Sequence, residues 1–150
     1  MTPLVKWIGG KRQLLPVLKA NLPERYGTYY EPFAGGGALL FLEHPELFVV
    51  NDSNEDLVSL YISVKDSSQS LLELLDKYQS EYNSSLDKKA FYYRVRNEEP
   101  NNQLEKAARL VFLNKTCFNG IYRVNSKGKF NTPWNKIEKV SLYDKDNFLI

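Results

Sequence analysis

Hydrophobic positions change their spacing several times along the chain. Between Tyr29 and Val50 they come as short runs: Tyr29-Tyr30, then Ala38-Leu39-Leu40-Phe41-Leu42, then Leu47-Phe48-Val49-Val50. The first run suits a strand and the second a helix, and a second strand is predicted over Phe48–Asn51. Upstream, Lys11–Ala20 carries Leu14, Leu15 and Leu18 at helical spacing, with Pro16 placing the stretch near a helix start. Downstream, Leu57, Leu60, Tyr61 and Val64 predict a helix over Asn54–Val64.

A long polar section follows with three helical stripes. They are Leu71, Leu72, Leu75, Tyr78 and Tyr82; then Phe91, Tyr92 and Val95; then Leu104, Ala108, Val111 and Phe112, all assigned to the core. Loops are predicted at Ser67–Ser70 and Glu99–Asn102. Beyond Phe112 the period becomes strand-like in Ile121–Asn125. Ser126-Lys127-Gly128 supplies a turn and Lys129–Thr132 returns, so a β-hairpin is predicted, with Trp134 and Tyr143 packing beneath it.

Composition bounds the molecule. With 150 residues, 43% hydrophobic and a net charge of +2, the chain suits one soluble globular domain, or one with a small appendage. Cys117 is the only cysteine, which excludes an intrachain disulfide and a cysteine-built zinc site. The single histidine, His44, sits in His44-Pro45-Glu46, where a turn is expected. No metal site is indicated. No apolar run approaches the roughly 18 residues of a membrane span, and no secretory leader is visible, so a cytoplasmic location without membrane contact is expected.

Candidate chemistry gathers in three places. Glu31-Pro32-Phe33-Ala34-Gly35-Gly36-Gly37 lies between the first strand and its helix, and Asp52 ends the second strand about twenty residues on. Glycines let a ligand approach the backbone, and such an acid accepts hydrogen bonds from ribose hydroxyls, which points to an adenosine-containing ligand. The bland alternative is a tight connection. Near the N-terminus, Lys6-Trp7-Ile8-Gly9-Gly10-Lys11 offers a flat ring for a base or a sulfonium ion. The Lys11 ammonium and a following helix start would favour a carboxylate, although by itself this segment reads first as a structural N-terminal anchor. Third, Lys115–Lys139 holds six cations against Glu138 alone, leaving the rest of the chain at net −3. Phe118, Tyr122, Phe130 and Trp134 interleave with Asn119, Asn125, Asn131 and Asn135, which suits nucleic acid, though a solvated basic face would also carry such charge.

In combination these segments resemble the Dam-like (class alpha, D12 class) family of DNA adenine-N6 methyltransferases, which depend on S-adenosylmethionine (SAM). Lys6–Lys11 is similar to the family's N-terminal SAM motif, Glu31–Gly37 to its glycine-rich motif and Asn51-Asp52-Ser53-Asn54 to its acidic motif. Leu113–Arg123 with Gly128–Pro133 is similar to its target-recognition hairpin. The resemblance implies an α/β fold: a partial Rossmann-like SAM-dependent methyltransferase sheet with a helical target-recognition lobe carrying the hairpin. Residues 1–65 would be the N-terminal part of the SAM domain, 66–138 the recognition lobe and 139–150 a return to the catalytic domain. It implies SAM contacts at Trp7, Lys11, Pro32, Phe33, Gly35, Gly37 and Asp52. Contacts with double-stranded DNA would fall on Lys6, Phe118, Asn119, Ile121, Arg123, Lys127, Lys129 and Pro133, at a GATC-like site, with Arg123 the candidate for guanine O6 and N7.

One family feature is absent. The catalytic Asp-Pro-Pro-Tyr tetrapeptide, expected after the hairpin, has no counterpart, and no Pro-Pro pair occurs. No catalytic residue is therefore assigned. The chain is expected to be an N-terminal fragment of a methyltransferase, inactive alone, with a second polypeptide as a possible source of the missing half. A non-catalytic DNA- or SAM-binding remnant is the alternative. A Rossmann oxidoreductase is a further one, opposed by Trp7, Lys11 and the basic hairpin.

Overall fold

In the computed structural model, which describes residues 3–43 and 45–144, the two halves of the chain fold by different rules. His44 and residues 145–150, including the expected strand start at Asn147–Ile150, lie outside the described residues.

The central element is helix α6, Gln103–Thr116. Asn102 caps it by accepting the Glu105 N–H at 2.9 Å, and the Glu105 carboxylate accepts the Asn101 N–H at 2.7 Å in return. Its burial runs almost all the way round, through Ala107, Ala108, Leu110, Val111, Phe112 and Leu113. A helix apolar on all sides must be enclosed. Three helices enclose it: α3 (Glu55–Asp66), α4 (Ser68–Ser84) and α5 (Lys88–Asn97). Each buries one stripe, and Phe112 meets Tyr78, Tyr82 and Phe91 with ring centroids 5.4–5.7 Å apart. The predicted stripes hold, and Leu57, Leu60 and Val64 of α3 share the same core with Val5.

The first half is thinner. Strand β1 (Tyr29–Glu31) pairs in parallel with β2 (Phe48–Val50), with Tyr29 opposite Phe48 and Glu31 opposite Val50. Helix α2 (Leu40–Glu43) lies in the connection between them. A small core of Tyr29, Leu39 and Leu40 receives Leu15, Leu18, Leu22 and Val50, while Tyr30, Phe48, Val49 and Val17 face outward.

Three expectations need correction. The helix over Lys11–Ala20 is a 3₁₀ turn, Lys11–Leu14, followed by α1, Leu15–Ala20. Pro16, lacking an N–H, fits only the first turn of the α segment. Ser68–Ser70 belong to α4 rather than a loop, because a first turn leaves its N–H groups unpaired anyway and tolerates serines. The hairpin is present as antiparallel bridges, Val124 to Phe130 and Cys117 to Trp134, not as two full strands. Its turn is built by Asn125, whose side chain accepts the Lys127 and Lys129 N–H groups while Gly128 takes φ +72°. It docks on the helices: the Tyr92 hydroxyl donates to the Thr132 carbonyl at 2.8 Å, and Trp134 Nε1 donates to the Tyr82 hydroxyl at 3.0 Å. Trp134 and Tyr143 pack against the core as expected. Beyond the hairpin, Val140 and Leu142 are buried, with Asn83 and Gln79 of α4 bonding their backbone.

Among the described residues, no helix is long and apolar enough to cross a membrane.

Candidate functional site

Backbone pairing carries on past the strands and draws the acidic segment to the glycine turn. The Asn51 N–H donates to the Glu31 carbonyl, and the Ala34 N–H donates to the Asn51 carbonyl, both at 3.0 Å. Asp52 therefore sits beside Gly35. One carboxylate oxygen accepts the Gly35 N–H at 2.8 Å and the other accepts the Asn54 N–H at 2.9 Å. A carboxylate offers about four acceptor positions, so two remain for hydroxyl donors. Asn54 then caps α3 by accepting the Leu57 N–H at 3.1 Å.

Gly35 is required twice over. Its φ of +54° is a left-handed conformation, and a Cβ placed there would lie 3.1 Å from the Trp7 ring. The Tyr61 hydroxyl of α3 donates to the Gly35 carbonyl and holds the turn from behind. Burial, with Glu31 and Asp52 nearby, pushes the Tyr61 phenol upward, so it stays a donor.

Trp7, Gly10, Lys11, Phe33, Gly35 and Asp52 surround a pocket of about 260 Å³. Phe33 is 77% exposed at its rim. Pro32 and Gly37 shape the turn without lining that pocket; the Gly37 N–H closes it onto the Ala34 carbonyl at 2.9 Å. Lys11 Nζ donates to the Phe33 carbonyl at 2.8 Å and approaches the buried Glu31 carboxylate at 3.4 Å. An ammonium has three N–H groups, so one is left for an incoming anion. The helix start expected to assist Lys11 is a four-residue 3₁₀ turn, too short to carry much of a dipole.

Lys6 opens onto a neighbouring cavity of about 560 Å³ that Trp7 also lines, with Arg12 and Lys115. Burial lowers the Lys115 ammonium pKa, and Lys6 and Arg12 lower it further. Where α6 ends, Phe118 and Asn119 are exposed, and Asn119 takes φ +55°. The Phe118 N–H donates to the Pro133 carbonyl at 2.8 Å, placing Pro133 alongside. Ile121 is half-buried.

Arg123 lies on the exposed hairpin, where Nε donates to Asn131 Oδ1 at 2.7 Å and Nη2 to the Asn131 carbonyl at 3.2 Å. That uses the side edge of the guanidinium and leaves the end edge, one N–H from each Nη, for another bidentate acceptor. Lys127 is exposed, whereas Lys129 forms an exposed ion pair with Glu99 at 2.7 Å.

The predicted positions thus fall in two groups, one around the Trp7–Asp52 pocket and one along the α6 end and hairpin. Four contributors fell in stripes or motifs without a specific role assigned from the sequence: Glu31, Tyr61, Asn114 and Tyr122. Asn114 carried a visible signal, a lone amide amid Leu110, Val111, Phe112 and Leu113. Glu31 opened the glycine-rich motif without a role of its own, and Tyr61 read as a helix-stripe residue.

Residues 7–148 match the D12 class N6 adenine-specific DNA methyltransferase family. The chain belongs to that family. It is 39% identical to type II methyltransferase M1.LlaDCHI of Lactococcus lactis subsp. cremoris, over 97% of this chain and 52% of the relative. It is 40% identical to type II methyltransferase M.MjaIII of Methanocaldococcus jannaschii, over 97% of this chain and 56% of the relative. The DNA adenine methylase of Escherichia coli K12 is 31% identical, over 90% of this chain and 48% of that protein. This D12-class chain therefore spans about half the length of the relatives it matches. Its mixed α/β architecture is consistent with a methyltransferase fold.

Proposed function

We propose that this chain is the cofactor-binding and target-recognition portion of a site-specific DNA adenine-N6 methyltransferase with a Rossmann-like sheet, using SAM at a GATC-like site. The observation carrying this reading is that Trp7, which lines the pocket with Lys11 and Asp52, packs on the same core as Tyr122 and Phe130 of the basic hairpin, in a chain of the D12 family.

The donor set suits SAM. The open acceptor positions of Asp52 meet ribose hydroxyls, the free N–H of Lys11 meets the carboxylate, and the Trp7 face meets the adenine ring or sulfonium. SAM, when bound, supplies the methyl group. On the DNA side, the end edge of Arg123 fits guanine O6 and N7. Phe118 and Asn119 prop the duplex beside the extruded adenine, with Lys6, Ile121 and Pro133 against the bases and Lys127 and Lys129 on phosphates.

The exocyclic amine of adenine is a poor nucleophile while conjugated with its ring. Drawing it towards tetrahedral geometry needs a carboxylate and a carbonyl accepting its hydrogens, which the absent Asp-Pro-Pro-Tyr would provide. The chain alone is accordingly inactive, and a polypeptide carrying that motif completes it. The test is tritiated methyl incorporation into adenine-containing duplex, with and without such a polypeptide. Transfer only in its presence is expected; robust transfer by the chain alone would overturn the assignment of its missing chemistry.

The absence of the motif also favours a second reading, a DNA- or SAM-binding remnant without catalysis. Failure of every downstream half to restore transfer, with cofactor binding intact, would select it.

A further inference from the structure

Two segments more than a hundred residues apart, Lys6-Trp7 and Gly120–Tyr122, are tied together by the side chains of Asn114 and Tyr122. Asn114, 3% exposed in α6, accepts the Lys6 N–H at 2.8 Å and donates to the Lys6 carbonyl at 2.8 Å and the Gly120 carbonyl at 3.0 Å. All its principal polar capacity is spent on that junction.

Tyr122 makes the second tie. Its ring lies against Trp7, centroids 4.9 Å apart at 35°, and makes an edge contact with Phe130 at 5.6 Å between centroids. Its hydroxyl donates to Asp56 in the first turn of α3 at 2.8 Å. Burial pushes this phenol up to about 12, so it remains a donor at neutral pH. Trp7 thus neighbours both the Gly35 turn and Tyr122. Tyr122 immediately precedes Arg123, whose guanidinium spans the hairpin to Asn131.

Resting on the functional reading above, we propose that Tyr122 is a positioning residue that couples the two ligands. Cofactor seated on Trp7 fixes the ring beneath it and so fixes Arg123; duplex held by the hairpin fixes Trp7 in return. Coupling between two binding events is reciprocal, so each ligand must tighten the other by one common factor. A side chain that merely fills space would alter stability or both affinities without altering that factor.

The experiment is calorimetric titration of S-adenosylhomocysteine, which cannot transfer a methyl group, into the 150-residue chain with and without a short GATC-containing duplex. The reverse titration checks reciprocity. The unmodified chain should show a factor of about 5 or more, the lower end of ordinary coupling. Tyr122→Leu should bring it to within about twofold of unity, and Tyr122→Phe, which keeps the ring but loses Asp56, should fall between them. An unchanged factor in Tyr122→Phe and Tyr122→Leu, or in Tyr122→Phe alone if the leucine variant fails to fold, overturns the proposal. A chain that binds both probes with no coupling overturns it too, leaving the functional reading intact. A chain that binds neither probe removes the functional reading and the coupling together.

Discussion

The four-helix lobe and the two-stranded segment differ in how much of their structure each can hold by itself. In the lobe, Tyr82, Tyr92, Phe112, Leu57, Leu60, Leu71 and Leu75 are fully buried around α6. In the sheet segment, among the described residues, the core cluster is Tyr29, Leu39 and Leu40, and Tyr30 is 68% exposed on a strand of three residues. Burial of apolar surface is the main favourable term in folding, so stability should reside in the lobe. The pocket lies at the weakly covered end, where the glycine turn packs beside Trp7, its Gly35 N–H donates to Asp52 and its Gly35 carbonyl accepts the Tyr61 hydroxyl. The stabilising core and the Asp52 pocket thus belong to different regions, while the basic hairpin rides on the lobe.

The sharpest way to break this contrast is Phe112→Ala. It removes the ring shared by Tyr78, Tyr82 and Phe91 and leaves a cavity, at an expected cost of about 3–5 kcal/mol. Urea unfolding followed by circular dichroism would measure it, and a loss below about 1 kcal/mol would mean the lobe is not the stabilising core.

The same lobe should fail in alkali. Burial raises the Cys117 thiol from 9.0 to about 11 and the Tyr78 phenol, also beside Glu98, from 10.0 to about 12; Tyr92 is raised as well. These acids stay protonated in the fold but ionise sooner when unfolded. Above pH 9 the unfolded chain therefore binds fewer protons than the native one, and stability should be level below that point and fall progressively from pH 9 to 12. Unfolding midpoints at successive pH values give the check; a rise over that interval would contradict the buried placement. Unreactivity of Cys117 towards a thiol reagent at neutral pH is expected on the same ground.

Next in size are the ligand contacts. Asp52→Ala should weaken SAM binding by about 1–3 kcal/mol, the scale for hydrogen bonds to a charged acceptor. Arg123→Ala should cost about 1–3 kcal/mol on the preferred duplex and relax choice at one base pair, whereas Lys127→Ala should weaken all duplexes alike. Titration calorimetry and competition between specific and scrambled duplexes decide these. Equal losses on both duplexes would reduce Arg123 to a backbone anchor. Lys129 is expected to matter less than Lys127, because Glu99 already engages it.

How much was legible beforehand follows the same division. The lobe's stripes, from Leu71 to Phe112, were readable because helical burial repeats at a fixed spacing in a local stretch of chain. The glycine turn was readable because left-handed φ leaves few residue choices, and Asp52 because an acid ending the second strand falls at a characteristic spacing from such a turn. Glu31 and Tyr61 were not, since their roles depend on where Lys11 and Gly35 arrive in space. Tyr122 illustrates the limit most clearly. Alternation placed it on the hairpin, and nothing in its neighbours Ile121 and Arg123 indicates that Trp7 lies against its ring. The hairpin's reduction to bridges was hidden for a related reason: alternation sets which face a residue occupies, not whether the ladder closes.

The smallest expected effect tests the thin region directly. Val49 is half-exposed on β2, opposite Tyr30 in the register, with little of the described structure covering its side chain. Val49→Thr keeps the β-branched shape that suits a strand and exchanges a methyl for a hydroxyl. At a solvated position, stability should change by no more than about 0.5 kcal/mol. The same substitution at a covered site would bury a hydroxyl and cost about 1–3 kcal/mol if unpaired. Parallel sheets are normally covered on both faces, so a covering partner would turn the first situation into the second. Chemical unfolding of the Val49→Thr chain should therefore match the parent, and a loss above 1 kcal/mol would show that this face is packed against something in solution. Repeating the comparison with the completing polypeptide present sharpens the result, because a penalty appearing only then would locate that polypeptide on the outer face of β1 and β2.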